Sequence, residues 1–160
     1  MIDENGMKHL GRCVELATKA LDTGNPPFGS VLVDEKGAVR YEDHNLTADG
    51  DNTQHPEFAI ARWAAANMTP NERAACTVYT SGEHCPMCAA AHGWVGLGRI
   101  VYASSSEQLA FWLEEMHALP SPVATLPINS VVPGLPVEGP FPVLAEAIRE
   151  LHKRYQDSQK

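Results

Sequence analysis

Met7, Leu10, Val14, Ala17 and Leu21 recur at intervals of three and four residues, and Gly24 with Asn25-Pro26-Pro27 interrupts the run. That spacing predicts one apolar face of a first helix, stopped by the glycine and prolines. The period then shortens. Ser30–Asp34 (SVLVD) and Ala38–Tyr41 (AVRY) flank Glu35-Lys36-Gly37, which predicts two strands joined as a hairpin. After a polar stretch, Phe58, Ala61 and Ala65 share a face of a second predicted helix, Pro56–Asn67, with Pro70 past its end. CTVYT (Cys76–Thr80) reads as a buried strand, Pro86–Leu97 as a helix with proline in its first turn, and RIVYA (Arg99–Ala103) as another strand. Strand, helix, strand in that order predicts a parallel crossover. Ser106–His117 is a fourth helix, capped by serine. Pro120–Pro142 then holds seven of the twelve prolines, which predicts a surface excursion with a short edge strand near Ile128–Val132. An amphipathic helix, Ala145–Tyr155 with its start at about residue 143, closes the chain. The sum is a mixed sheet with helices on both faces and no internal repeat.

Composition narrows the class. A chain of 160 residues, 44% hydrophobic, is the size of one domain with one sizeable core, so residues 1–160 are read as a single unit. Twelve Lys and Arg against twenty Asp and Glu give a formal charge of -8, which repels polyanions and argues against a broad phosphate-tracking surface. No apolar run approaches the roughly 20 residues of a membrane span. The opening MIDENGMKHL lacks the basic and apolar regions of a signal peptide. The expectation is a cytoplasmic protein with no membrane contact. Of four cysteines, Cys13 and Cys76 are read as buried thiols, while Cys85 and Cys88 form a ligand-like pair.

That pair sits in Glu83–Cys88, EHCPMC. Alone, C-x-x-C fits a redox pair, half a structural zinc finger, or two thirds of a catalytic metal site. His55-Pro56-Glu57 decides between them, since a redox reading leaves both His55 and Glu57 unexplained. A catalytic zinc takes three protein ligands and keeps the fourth position for water. His55, Cys85 and Cys88 supply three, and cysteines at i and i+3 in a first helical turn point the same way. A helix amino terminus also favours thiolate over thiol. Glu57, two residues from His55, would stand beside the metal-bound water as a proton shuttle. A structural site would want a fourth protein ligand, nominally His84 or His92, although His92 lies a helical turn past Cys88 and is expected to pack inside the helix.

The combination H-x-E with P-C-x-x-C is the signature of zinc nucleobase deaminases. From about Met7 to Ala103 the sequence resembles the cytidine deaminase superfamily, in the branch of guanine, cytosine and tRNA adenosine deaminases. PFGSVLV (Pro27–Val33), Asn45 in DHN, HPE (His55–Glu57) and TSGEHCPMCAAA (Thr80–Ala91) carry that resemblance. It implies a three-layer α/β/α fold with a mostly five-stranded mixed sheet. It also implies one Zn2+ per chain with a bound water or hydroxide, held by His55, Cys85 and Cys88, with Glu57 moving protons and Asn45 hydrogen-bonding the substrate ring. Phe28 and Trp112 are expected on the pocket wall. Glu107, Glu114, Glu115 and Glu138 are candidates for reading an exocyclic amine, although exposed acids are ordinarily only solvated.

Two positions depart from the relatives: His84 stands where they usually have proline, and Pro56 where they usually have alanine or glycine. Proline offers no backbone N–H, which disfavours cytosine itself. The expected activity is hydrolytic deamination of a small free base of the guanine type. A cytosine-like pyrimidine, a triazine or a nucleoside stays open, tRNA adenosine is the runner-up, and a catalytically idle zinc module is the non-enzymatic alternative. Nucleic acid is not the expected partner. The resemblance further implies a homodimer through the helix after the metal motif, where AAAHGWVGLG (Ala89–Gly98) offers small residues and Trp94.

Overall fold

The computed structural model describes every residue from Met1 to Lys160. Helix α1 (Glu4–Asp22) begins at a cap, where Asp3 Oδ1 accepts from the Gly6 amide at 2.8 Å. Its buried face is Leu10, Cys13, Leu16, Ala17 and Ala20. The predicted stripe holds at Leu10 and Ala17 but is rotated elsewhere, for Met7 is exposed and Val14 and Leu21 are only half-buried. Close approach decided the rotation. Cys13, Ala17 and Ala20 are small enough to bring the helix onto the sheet, and a side chain at Gly29 would collide with Leu16 and the Cys13 carbonyl.

Five strands follow: β1 (Gly29–Val33), β2 (Val39–His44), β3 (Thr77–Gly82), β4 (Ile100–Ser104) and β5 (Val137–Glu138). They are ordered β2-β1-β3-β4-β5. The predicted hairpin is present as antiparallel β1 and β2, and β1 also runs antiparallel to β3, with Ser30 opposite Thr80. The expected parallel crossover joins β3 to β4 through α4 (Pro86–Val95), and β5 adds in parallel beside β4. The sheet is mixed and covered on both faces. Successive strand residues point to opposite sides, so Val31 and Val33 pack under α1, α5 (Ser106–Glu115) and α7 (Pro142–Ser158) with Val101, Trp112 and Ile148. Leu32 faces the other layer, α2 (Pro56–Asn67) and α4, with Ile60, Ala64, Val78 and Leu97.

Two local expectations are corrected, and one helix is added. The face of α2 turned inward carries Glu57, Ile60, Ala61 and Ala64, while Ala65 is exposed. A short helix α3 (Pro70–Ala75) follows, started by a capping box in which the Glu72 amide donates to Thr69 Oγ1 and the Thr69 amide to Glu72 Oε2. The edge strand near Ile128–Val132 is instead a helix, α6 (Ile128–Val131), and the strand beside β4 is Val137–Glu138. β-Branched residues yielded there to tertiary packing: Ile128 is buried with Ala89 and Ile100, and Gly93 of α4 leaves room for Val132.

Candidate metal centre

His55 is the N-cap of α2 and Cys85 the N-cap of α4, both before a proline at the first helical position; Cys88 follows one turn into α4. Proline there costs nothing, because the first helical amides lack an intrahelical partner. The two helix starts lie side by side on one face of the sheet. His55 Nδ1 stands 3.6 Å from Cys85 Sγ and 3.5 Å from Cys88 Sγ, and the three donor atoms lie within 4.8 Å of one another. Zinc bond lengths of about 2.3 Å to sulfur and about 2.0–2.1 Å to nitrogen, at a tetrahedral angle, put N and S roughly 3.6 Å apart. One imidazole and two thiols at that separation fit a zinc ion. The other two histidines of the motif do not join them. His84 and His92 are buried edge-on to each other at 5.4 Å; His92 Nε2 meets the Gly98 carbonyl at 2.6 Å, and both His84 ring nitrogens are buried without a hydrogen-bond partner.

The three groups share protons unequally. Cys85 is pushed down to about 4, chiefly by the hydrogen bond from Cys88, with His55 adding to it against burial. Cys88 is pushed up, first by sharing that proton with Cys85 and then by burial. His55 is raised by its hydrogen bond to Cys85.

Glu57 is 6% exposed, and burial raises its pKa above the usual carboxylate range. Ser30 Oγ donates to Glu57 Oε1 at 3.0 Å, and Thr80 Oγ1 lies 3.3 Å from the same oxygen. These two strand hydroxyls, paired across β1 and β3, fix the carboxylate against the metal ligands. Sequence reasoning passed over both. The available signal was a polar residue inside an otherwise apolar strand, in SVLV and again in TVYT.

A cleft of about 540 Å³ opens from His55, Glu57 and Cys85 toward solvent. Its walls are mostly apolar: Phe28 on one side, Leu109, Ala110 and Leu113 of α5, and a roof formed by residues 118–126. No lysine or arginine lines it. The structure thus brings Phe28 to the wall, as expected. Trp112, expected on that wall, is instead turned into the core, where it packs against His152 of α7. Asn45 is buried behind the wall: its amide donates to the Phe28 carbonyl, and its Oδ1 accepts from the Thr47 amide and hydroxyl. Among the candidate acids, only Glu114 lines the cleft. Glu115 pairs with Arg149, Glu138 pairs with Arg99, and Glu107 lies outside the cleft.

A family model described as the cytidine and deoxycytidylate deaminase zinc-binding region matches residues 3–104. A probable cytosine deaminase from Schizosaccharomyces pombe is 34% identical over 108 residues, covering 68% of this chain and 65% of that protein. Guanine deaminase from Bacillus subtilis is 32% identical over 102 residues, covering 63% and 65% respectively. A tRNA-specific adenosine deaminase matches at comparable identity. The matched region thus spans just under two thirds of these first two relatives. In fold, a solved structure of guanine deaminase from Nitrosomonas europaea superposes with a TM-score of 0.70 at 20% identity, over 98% of this chain and 86% of the other.

Proposed function

Because the chain belongs to the cytidine and deoxycytidylate deaminase zinc-binding family, we propose that it is a zinc-dependent hydrolytic deaminase of a small, free aminated heterocycle of the guanine type. The observation that carries this reading is Glu57, a buried carboxylate with a raised pKa beside His55, Cys85 and Cys88 at the foot of the cleft. An idle structural site has no use for such a group. Zinc held by those three residues supplies Lewis acidity that makes water a competent nucleophile near neutral pH. Glu57 takes one proton from the attacking water and passes it to the ring nitrogen beside the attacked carbon; it then takes the remaining proton of the added hydroxyl and delivers it to the amine, which departs as ammonia as the carbonyl forms. The raised pKa of Glu57 suits a group that must both accept and return a proton. The products are the keto heterocycle and ammonia.

Binding follows from the walls. Phe28 and the α5 leucines exclude water from a flat ring; Asn45 stands behind Phe28 and outside the lining, with Oδ1 committed to Thr47, so a contact to the ring would have to come from its Nδ2. Glu114 is the carboxylate in the cleft free to take an exocyclic amine. Guanine carries such an amine beside its carbonyl. The absence of any basic residue from the lining supports an uncharged base over a phosphate-bearing substrate, since phosphate contacts normally recruit Lys or Arg. Four free cysteines, two of them zinc ligands, suit a reducing compartment, which supports action in the cytoplasm. The exposure of Trp94 on α4, 89% accessible in the isolated chain, supports pairing of two copies through that helix. Light scattering that finds a concentration-independent monomer rejects the dimer.

Ammonia release from a panel of free purines, pyrimidines, triazines, nucleosides and a tRNA anticodon stem-loop tests the activity. Guanine is expected to lead, with a rate that depends weakly on ionic strength. Salt-sensitive conversion of adenosine to inosine in the stem-loop, with every free base inert, reassigns the substrate to tRNA. No release from any of them, with zinc bound, rejects the enzyme reading.

A further inference from the structure

The roof of the cleft is poorly tied to the rest of the molecule. Residues 119–126 make a single hydrogen bond, Val123 N to Ser121 Oγ at 3.1 Å, and none of their backbone groups pairs with another backbone group. The stretch is therefore placed by its two ends. At the first, the last turn of α5 closes with the Ala118 amide on the Leu113 carbonyl. At the second, α6 begins after Pro127, whose side chain cannot cap a helix. The cap comes from a distance. Glu83, two residues before the zinc ligand Cys85, accepts from the Ile128 amide with Oε1 and from the Ser106 amide with Oε2, each at 2.9 Å. Its own amide continues the sheet by donating to the Ser104 carbonyl at 2.8 Å.

We propose that Glu83 is a positioning residue that latches the roof of the substrate cleft to the metal-binding loop. One carboxylate fixes the first amide of α5 and the first amide of α6, the helices on either side of the roof, in the frame of Cys85. Both oxygens are committed to backbone donors, so Glu83 is not the acid that touches the reacting atoms, although it borders the cleft. Ser105 already caps α5 through the Gln108 amide, which leaves the Ile128 bond as the one without a local substitute. Release of that bond frees the roof while the ligand distances stay as they are.

The inference rests on the proposed deaminase reading only for its kinetic consequence. The decisive variants are Glu83→Gln, which keeps one acceptor oxygen and presents an N–H2 to the other amide, and Glu83→Ala, which removes both acceptors. Amide hydrogen exchange followed by mass spectrometry on the purified protein should show the amides of Ile128, Ser130 and Val132, which are hydrogen-bonded in the wild type, exchanging at least about tenfold faster, while core peptides of β1 and β3 keep wild-type protection. Zinc should stay at one per chain. With the best base from the panel, KM should rise about tenfold and kcat by contrast change little, the signature of lost ground-state positioning. Wild-type exchange over residues 128–132 in both variants overturns the latch. So does loss of zinc in step with activity, which makes Glu83 a support of the metal loop alone. If the wild type deaminates nothing, the exchange and metal readouts still decide the latch, and the two failures remain distinct.

Discussion

The two ends of the cleft are built on different principles. At the metal end every functional atom comes from the first turn of a helix or from a central strand: His55 and Cys85 as N-caps, Cys88 and Glu57 one step inside, Ser30 and Thr80 from paired β1 and β3. The roof at the other end has no regular structure, one internal hydrogen bond and large apolar side chains in solvent, Leu119 among them at 92% exposure. The family match covers the first and stops at residue 104, short of the second. Polar atoms that need fixed geometry are carried on rigid elements, whereas the apolar roof is carried on a loop, the kind of segment freer to vary.

Several substitutions would break or sharpen that contrast. The largest effect belongs to the ligands. Cys85→Ala should bind far less than one zinc per chain by metal analysis, lose activity, and lower the melting temperature, since ion binding that joins α2 to α4 is also folding free energy. Full metal content in this variant would dissolve the distinction between a rigid centre and a soft roof. Next comes Glu57→Gln, which keeps shape and zinc but cannot relay protons. Its turnover should fall at least about 10²-fold, roughly 2.7 kcal/mol of barrier, with metal content unchanged. An ordinary rate would reject the assigned shuttle.

The floor beneath the cleft gives a third, smaller effect. His152 of α7 is buried against Phe28 and Trp112, and burial pushes it down to about 4 from 6.5. A folded pKa below the unfolded one means that the unfolded chain takes up the proton first as pH falls. The native state is therefore fully favoured above about pH 6.5 and loses stability from there to about pH 4, at about 1.4 kcal/mol per unit from this group. His92, also pushed down to about 4, adds its own slope. Denaturation of His152→Phe at pH 7 and pH 5 should show a flatter dependence, smaller by one group's worth. An unchanged slope would mean that this floor is not the dry, packed counterpart of the roof.

The smallest effect on stability is expected from Leu119→Ser, within about 0.5 kcal/mol because the side chain is exposed. Its KM should nevertheless shift for the larger of two substrates. A large loss of stability would show the roof to be part of the core.

The sequence alone carried the grouping of His55, Cys85 and Cys88 with Glu57 beside it, the hairpin and the crossover, because each rests on short spacing motifs. A histidine and a cysteine before prolines that start helices, a thiol one turn on, and alternating apolar residues are all short-range features. The short α3 was equally legible in Thr69-Pro70-Asn71-Glu72, whose capping box needs only four residues. What the tertiary structure decided lies in contacts between distant parts of the chain. Trp112 faces the core because it packs on His152, 40 residues later in α7, while Leu113 is left to the cleft. Ser30 serves Glu57 only because β1 lies beneath α2, and Ile128–Val131 became a helix where Ile128 is buried with Ala89 and Ile100 and its amide meets Glu83, 45 residues earlier. Periodicity reports which face of an element is apolar. Which neighbour that face meets is set by packing of the whole chain, and the latch and the wall both depend on that choice.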